Sequence, residues 1–158
     1  ARVVLILALI LHVAAAYSLT QQSHAARPDG YTKRVPQAST LASRFMRWGG
    51  VLLLVFIVYH ILHFTTGTFH PGGEYVEGDV YHNVVQAFHV WWVAAFYMVS
   101  MVFLGLHLYH GAWSSARTLS ITGDSPHPLK HQLSVAIAVV VWLGFTLVPL
   151  GVLLGWIG

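Results

Sequence analysis

Four long apolar stretches constrain this chain more than anything else in it: Ala1 to Thr20, Trp48 to Thr66, His89 to Tyr109 and Leu133 to Ile157. A run of about 20 apolar residues wound as an α-helix spans a hydrocarbon core of roughly 30 Å. A helix also satisfies its own backbone polar groups where no water is at hand. The stretches predict an all-α transmembrane bundle with helices over about 1–22, 43–67, 86–114 and 130–157, in one domain across 1–158. Composition agrees, with 56% of residues hydrophobic and 8% charged, against roughly 25% charged in an ordinary soluble domain. The connectors are short, so no separate soluble domain is expected. Gly and Pro in the last stretch are tolerated in membrane helices.

The absence of cysteine excludes iron–sulfur clusters, thiolate metal sites, disulfides and thiol nucleophiles within this chain. Any metal must be held by nitrogen or oxygen. The first stretch opens at residue 1 without a methionine and does not read as a signal peptide, so an N-terminal part is expected to precede it.

Basic residues in short loops mark the cytoplasmic side of a membrane protein. Arg27, Lys33, Arg34, Arg44 and Arg47 lie between the first and second spans, and Arg117 and Lys130 between the third and fourth. The intervening connector, FHPGGEYVEGDVYHN, carries Glu74, Glu77 and Asp79 and no Lys or Arg. The basic loops are therefore expected in the cytoplasm and the acidic one outside. The formal charge of +3 reflects this sidedness, and it carries no nucleic-acid signature.

Within these spans, FIVYHILHF (Phe56 to Phe64) sets two histidines three residues apart, and LGLHLYHG (Leu104 to Gly111) repeats the pattern. Imidazoles inside a membrane helix are costly, face the bundle interior and by default mark a functional site. The alternative for each is a neutral ring hydrogen-bonded across a helix interface. With the orientation above, His12 and His107 fall in the cytoplasmic half and His60 in the outer half. His60 lies roughly 20 Å along its helix from Arg47, and His107 about 15 Å from Arg117.

His60 and His107 sit deeper than His63 and His110 and are the favoured ligands. His63 and His110 are expected to bond a carbonyl, a haem propionate or a quinone oxygen. His24, His70, His82, His127 and His131 fall in loops or at helix ends and read as solvated surface. His89, at the outer start of the third span, is a further candidate ligand for the outer site.

Neutral imidazole ligates zinc, copper, iron and nickel, so its surroundings decide the metal. A closed zinc site wants four converging ligands, and a di-iron bundle wants inward Glu-x-x-His pairs. No Glu or Asp lies inside any of the four spans. Histidines from facing helices, with small residues beside them, suit a flat macrocycle held on both faces. Ala14, Ala15 and Ala16 follow His12, and Gly105 and Gly111 flank His107. The reading is bis-histidine haem b.

Certain stretches also carry a family likeness: LHVAAAYSLT followed by ARPDGY, then SRFMRWGGVLLLVFIVYHILHF, then FYMVSMVFLGLHLYHGAWSSARTLSIT. In this order and spacing, from Leu11 to Thr122, the chain resembles the cytochrome b membrane-anchor subunit of succinate:quinone oxidoreductases (succinate dehydrogenase and fumarate reductase), in the five-helix, two-haem type. The fourth span, with GFTLVPLG, fits that family's last helix more loosely. Membrane cytochrome b subunits of hydrogenases and formate dehydrogenases, the alternative class, lack this arrangement.

The resemblance implies that His12 and His107 are the axial ligands of the inner haem and His60 one ligand of the outer haem. The other outer ligand would come from the family's first helix, which this sequence lacks. A fifth helix is thus expected from a missing segment or from a small membrane subunit. The resemblance further implies a quinone, menaquinone in this type, with flavoprotein and iron–sulfur subunits docked in the cytoplasm. It places the chain in the lipid bilayer of a prokaryotic inner (plasma) membrane. Arg44, Arg47 and Arg117, at the cytoplasmic helix ends, become candidate partners of the inner haem's propionates, with positive-inside anchoring as the alternative. Trp48, Trp91, Trp92 and Trp113, near helix ends, read as an interfacial belt.

Overall fold

The computed structural model describes residues 2–26, 41–119 and 128–158, and every regular element among them is helical. Among the described residues four helices, Arg2–Ala25, Ala42–Thr65, Trp91–Thr118 and His131–Leu153, are long and apolar enough to cross a membrane. Contacts divide the chain into two units, Ala1–Ala38 and Ser39–Gly158.

The first unit contains one described helix, α1 (Arg2–Ala25). From Val3 to Ala16 only His12 interrupts the apolar side chains, so every direction around the helix is apolar, as in a membrane span. Near its end the polar residues turn back on the helix itself: Thr20 Oγ1 donates to the Ala16 carbonyl at 2.8 Å, and Gln22 to Ser18 at 3.0 Å. Local bonds of this kind satisfy hydroxyl and amide groups without outside partners.

The second unit contains α2 (Leu41–His60), which continues into a π-helical turn at Ile61–Thr65, then α3 (Val80–His89), α4 (Trp91–Thr118) and α5 (Pro128–Leu153). α4 packs against both α2 and α5. The pairs are antiparallel. Gly49 of α2 lies against Phe103 and Phe56 against Tyr97, while Gly105 lies against Trp142 of α5 and Tyr109 meets His131. Without a hydrophobic drive between helices in lipid, close approach and van der Waals packing hold such pairs. Glycines at the contacts permit it. A Cβ on Gly49 would sit 3.1 Å from Phe103, and one on Gly105 3.4 Å from Trp142 Cβ.

The core gathers Phe56, Phe88, Val93, Ala94, Tyr97, Met101 and Val152. It lies toward the end of the unit that carries the connector 66–79. That connector holds Glu74, Glu77 and Asp79, whereas Arg44, Arg47 and Arg117 lie on the opposite end, in the opening turns of α2 and the last turn of α4. The expected segregation of charge is therefore present among these residues. Arg27, Lys33, Arg34 and His127, and the side chain of Lys130, lie outside the described residues.

The third span differs from the expected helix over 86–114. It is broken at Val90, whose extended backbone (φ −82°, ψ 103°) separates α3 from α4. Asp79 caps α3 by accepting the His82 amide at 3.0 Å. The break lets α3 bring Phe88 onto the core while α4 begins anew with the Val90 carbonyl accepting from Val93 and Ala94. Hydrophobic periodicity alone does not register one extended residue between two apolar helices.

α5 runs through Pro149, a residue that removes one helical donor, and closes on Gly155. There a φ of +72° accompanies bonds from Trp156 to the Gly151 carbonyl (2.8 Å) and from Gly155 to Val152 (3.0 Å). This is a Schellman closure, which requires a left-handed residue and so favours glycine.

Candidate functional site

At the end of α2 two imidazoles meet one hydroxyl. His63, fully buried in the π-helical turn, places Nδ1 3.0 Å from Tyr97 Oη. His60, one turn earlier, places its own Nδ1 3.4 Å from the same oxygen, and the residue as a whole is exposed. Tyr97 is locked from several sides. Phe56 and Phe88 each stand 5.0 Å away in edge contacts, and Phe64 stands 5.7 Å away. Through Nδ1, His63 bonds a phenol.

His70 corrects an expectation. It does not read as solvated surface in the structure, because its ring is part-buried, with its centroid 4.8 Å from that of His63. The reason is the end of α2, where the last carbonyls of a helix have no internal partners. Here each finds one. Ile61 accepts from the Thr66 amide (3.0 Å), Leu62 from the Phe69 amide (3.2 Å), His63 from His70 Nδ1 (3.2 Å) and Phe64 from the Tyr75 hydroxyl (3.3 Å). A carbonyl only accepts, so His70 carries its proton on Nδ1. The connector that supplies these groups is itself pinned to α3. Asn83 accepts from the Val76 amide at 2.9 Å and donates to the Val76 carbonyl at 2.7 Å.

Three buried polar atoms of this cluster lack a hydrogen-bond partner among the described residues: Tyr59 Oη, His63 Nε2 and His70 Nε2. Such atoms are uncommon in folded proteins, and a water, an ion or a functional role commonly accounts for them. The Tyr59 ring is tilted against that of His63 with centroids 5.1 Å apart, and His70 lies 4.8 Å from His63, so all three atoms belong to neighbouring rings.

His107, toward the basic end of α4, is half-buried and faces α2, where a Cβ added to Gly50 would stand 3.9 Å from its Cε1. Gly50 is therefore the glycine that thins the side chains beside this ring. Gly105, expected in that role, instead admits α5, and a Cβ on Gly111 would meet nothing within 4 Å. His110 is half-buried. His131 is exposed and bonds Tyr109 Oη through Nε2 at 2.8 Å, with Trp113 5.5 Å away. His89 is exposed at the end of α3. His12 lies on α1 in the other unit. Arg44, Arg47 and Arg117 are exposed at the basic end. Among the described residues no group of three or more His, Cys, Asp or Glu side chains is arranged to hold a metal ion.

The tyrosine and the glycine were not legible as site residues. Tyr97 sits in an apolar run on another helix from His60 and His63, and Gly50 reads as one of a pair that merely eases helix packing. Compared with known proteins, the chain matches no family profile, no curated protein and no solved structure.

Proposed function

We propose that this chain is the haem b membrane anchor of a succinate:quinone oxidoreductase, passing electrons between an iron–sulfur subunit and a membrane quinone. The observation that carries the reading is the placement of His60 and His107 on two antiparallel membrane-length helices, at two levels. Tyr97 is level with His60, and His107 follows it about 15 Å further along α4. Haem ligation needs an imidazole with one nitrogen toward iron and the other held by an acceptor. His60 meets this demand, with Nδ1 at Tyr97 and the residue as a whole exposed. His107 is half-buried beside α2, with a glycine at position 50 against its ring.

In this reading His12 and His107 hold the inner haem, with Arg44, Arg47 and Arg117 near its propionates. His60 holds the outer haem, and a histidine from a further transmembrane helix, supplied by another segment or a small subunit, stands opposite it. When bound, haem b supplies one-electron chemistry whose potential follows axial ligation, burial and the partners of its propionates. The chain's own residues orient the rings, exclude water and anchor the flavoprotein and iron–sulfur subunits at the basic end. Succinate or fumarate chemistry stays on the flavoprotein.

A reduced-minus-oxidised visible spectrum of the purified complex tests this. A sharp α band, together with co-purifying flavin and succinate-dependent reduction of the haems, is expected. Haem reduced by hydrogen or formate and not by succinate would move the chain to the alternative class of cytochrome b. No α band at all would end the haem reading.

A further inference from the structure

One proton must serve two rings. Tyr97 Oη stands between His63 Nδ1 at 3.0 Å and His60 Nδ1 at 3.4 Å, and a phenol donates once. The ring tautomers decide the directions, and the arrangement in which the phenol donates to one imidazole and accepts from the other gives its proton an acceptor and both rings a bond. An imidazole that ligates iron through Nε2 keeps its proton on Nδ1 and gives it to an acceptor. If His60 is such a ligand, the direction of the whole chain follows. His60 Nδ1–H donates to Tyr97, Tyr97 donates to His63 Nδ1, and the proton of His63 resides on Nε2. The shorter of the two contacts is the one in which the hydroxyl acts as donor, as expected for O–H against N–H donation.

We propose that Tyr97 is the positioning residue of His60, setting its tautomer and ring plane so that its Nε2 lone pair is presented to the outer haem, with His63 as the acceptor that holds the Tyr97 proton away from His60. This rests on the haem reading of His60. The packing supports it independently. Tyr97 is 6% exposed, follows Val93 and Ala94, which are fully buried, and is gripped edge-on by Phe56 and Phe88, so its hydroxyl has a fixed place. His63 is fixed likewise by complete burial and by Phe64, stacked at 4.0 Å.

The test uses the intact complex and follows each haem by its midpoint potential and its low-spin electron paramagnetic resonance signal. His60→Ala is expected to remove the outer haem's signal. If both haems persist, the haem reading of His60 fails and this inference with it. Tyr97→Phe keeps the ring packing and removes only the hydroxyl. It should raise the outer haem's potential, because a ligand whose N–H loses its acceptor is less basic, and leave the inner haem unchanged. Loss of the outer haem from this variant would be the stronger form of the same effect. Two substitutions at position 63 then separate positioning from packing. His63→Gln retains an acceptor for the Tyr97 proton and should behave as the unaltered protein. His63→Leu frees that proton to turn toward His60 and should shift or deplete the outer haem. An outer haem unmoved by Tyr97→Phe, or equally perturbed by Gln and Leu at position 63, overturns the proposal.

Discussion

The imidazole of His70 closes the end of α2 by donating from Nδ1 to the carbonyl oxygen of His63, 3.2 Å away. A residue from the connector thereby finishes the helix that carries both His60 and His63. Replacing His70 with Ala leaves a carbonyl in the buried turn without its partner, a loss of about 1–3 kcal/mol. The expected result is a lower midpoint of thermal unfolding in detergent. An unaltered midpoint would show that the capping bond contributes nothing.

Asn83 tests the other anchor of the same connector. Its two bonds to the backbone of Val76 disappear in Asn83→Leu, which keeps the size and removes the amide. Hydrogen exchange at the Val76 amide should accelerate, and proteolysis within 66–79 should begin earlier. Protection equal to that of the unaltered chain would mean the clamp is not what holds the connector.

Gly50→Leu introduces a better helix former than glycine and also a side chain against the His107 ring. The helix should persist while one haem is lost, and haem-to-protein stoichiometry measures it. Full haem content would mean that the space beside His107 is not used by a macrocycle.

If His12 and His107 hold the same haem, as proposed, their variants share one effect. His12→Ala and His107→Ala should each remove the same haem, and the double variant no more than either single one. Loss of two haems by the double variant would place the two residues on different irons.

Sidedness is testable because the chain has no cysteine. Glu77→Cys should react with an impermeant maleimide on intact cells, and Arg117→Cys should react only after lysis. The reverse pattern would invert the topology and with it the face proposed for docking the flavoprotein and iron–sulfur subunits.

Much of this molecule is legible in the order of its residues. A membrane helix satisfies its backbone within its own segment, so the four spans follow from local apolar runs, and the positions of His12, His60 and His107 along them follow from counting. The charge at each end of the spans likewise needs no tertiary information, because Arg44, Arg47 and Arg117 are separated from Glu74, Glu77 and Asp79 by apolar runs.

The folded arrangement settles what lies beyond counting. That His63 is buried while His60 is exposed, that Tyr97 stands between them, and that Gly50 rather than Gly105 faces His107 all depend on how α2 and α4 are rotated against each other. The capping of α2 by His70 and Tyr75 depends on the path of a connector that has no hydrophobic period to read. Helical periodicity states which side chains share a face. It is silent on which neighbour that face meets, because the choice is made by close packing between residues far apart in sequence.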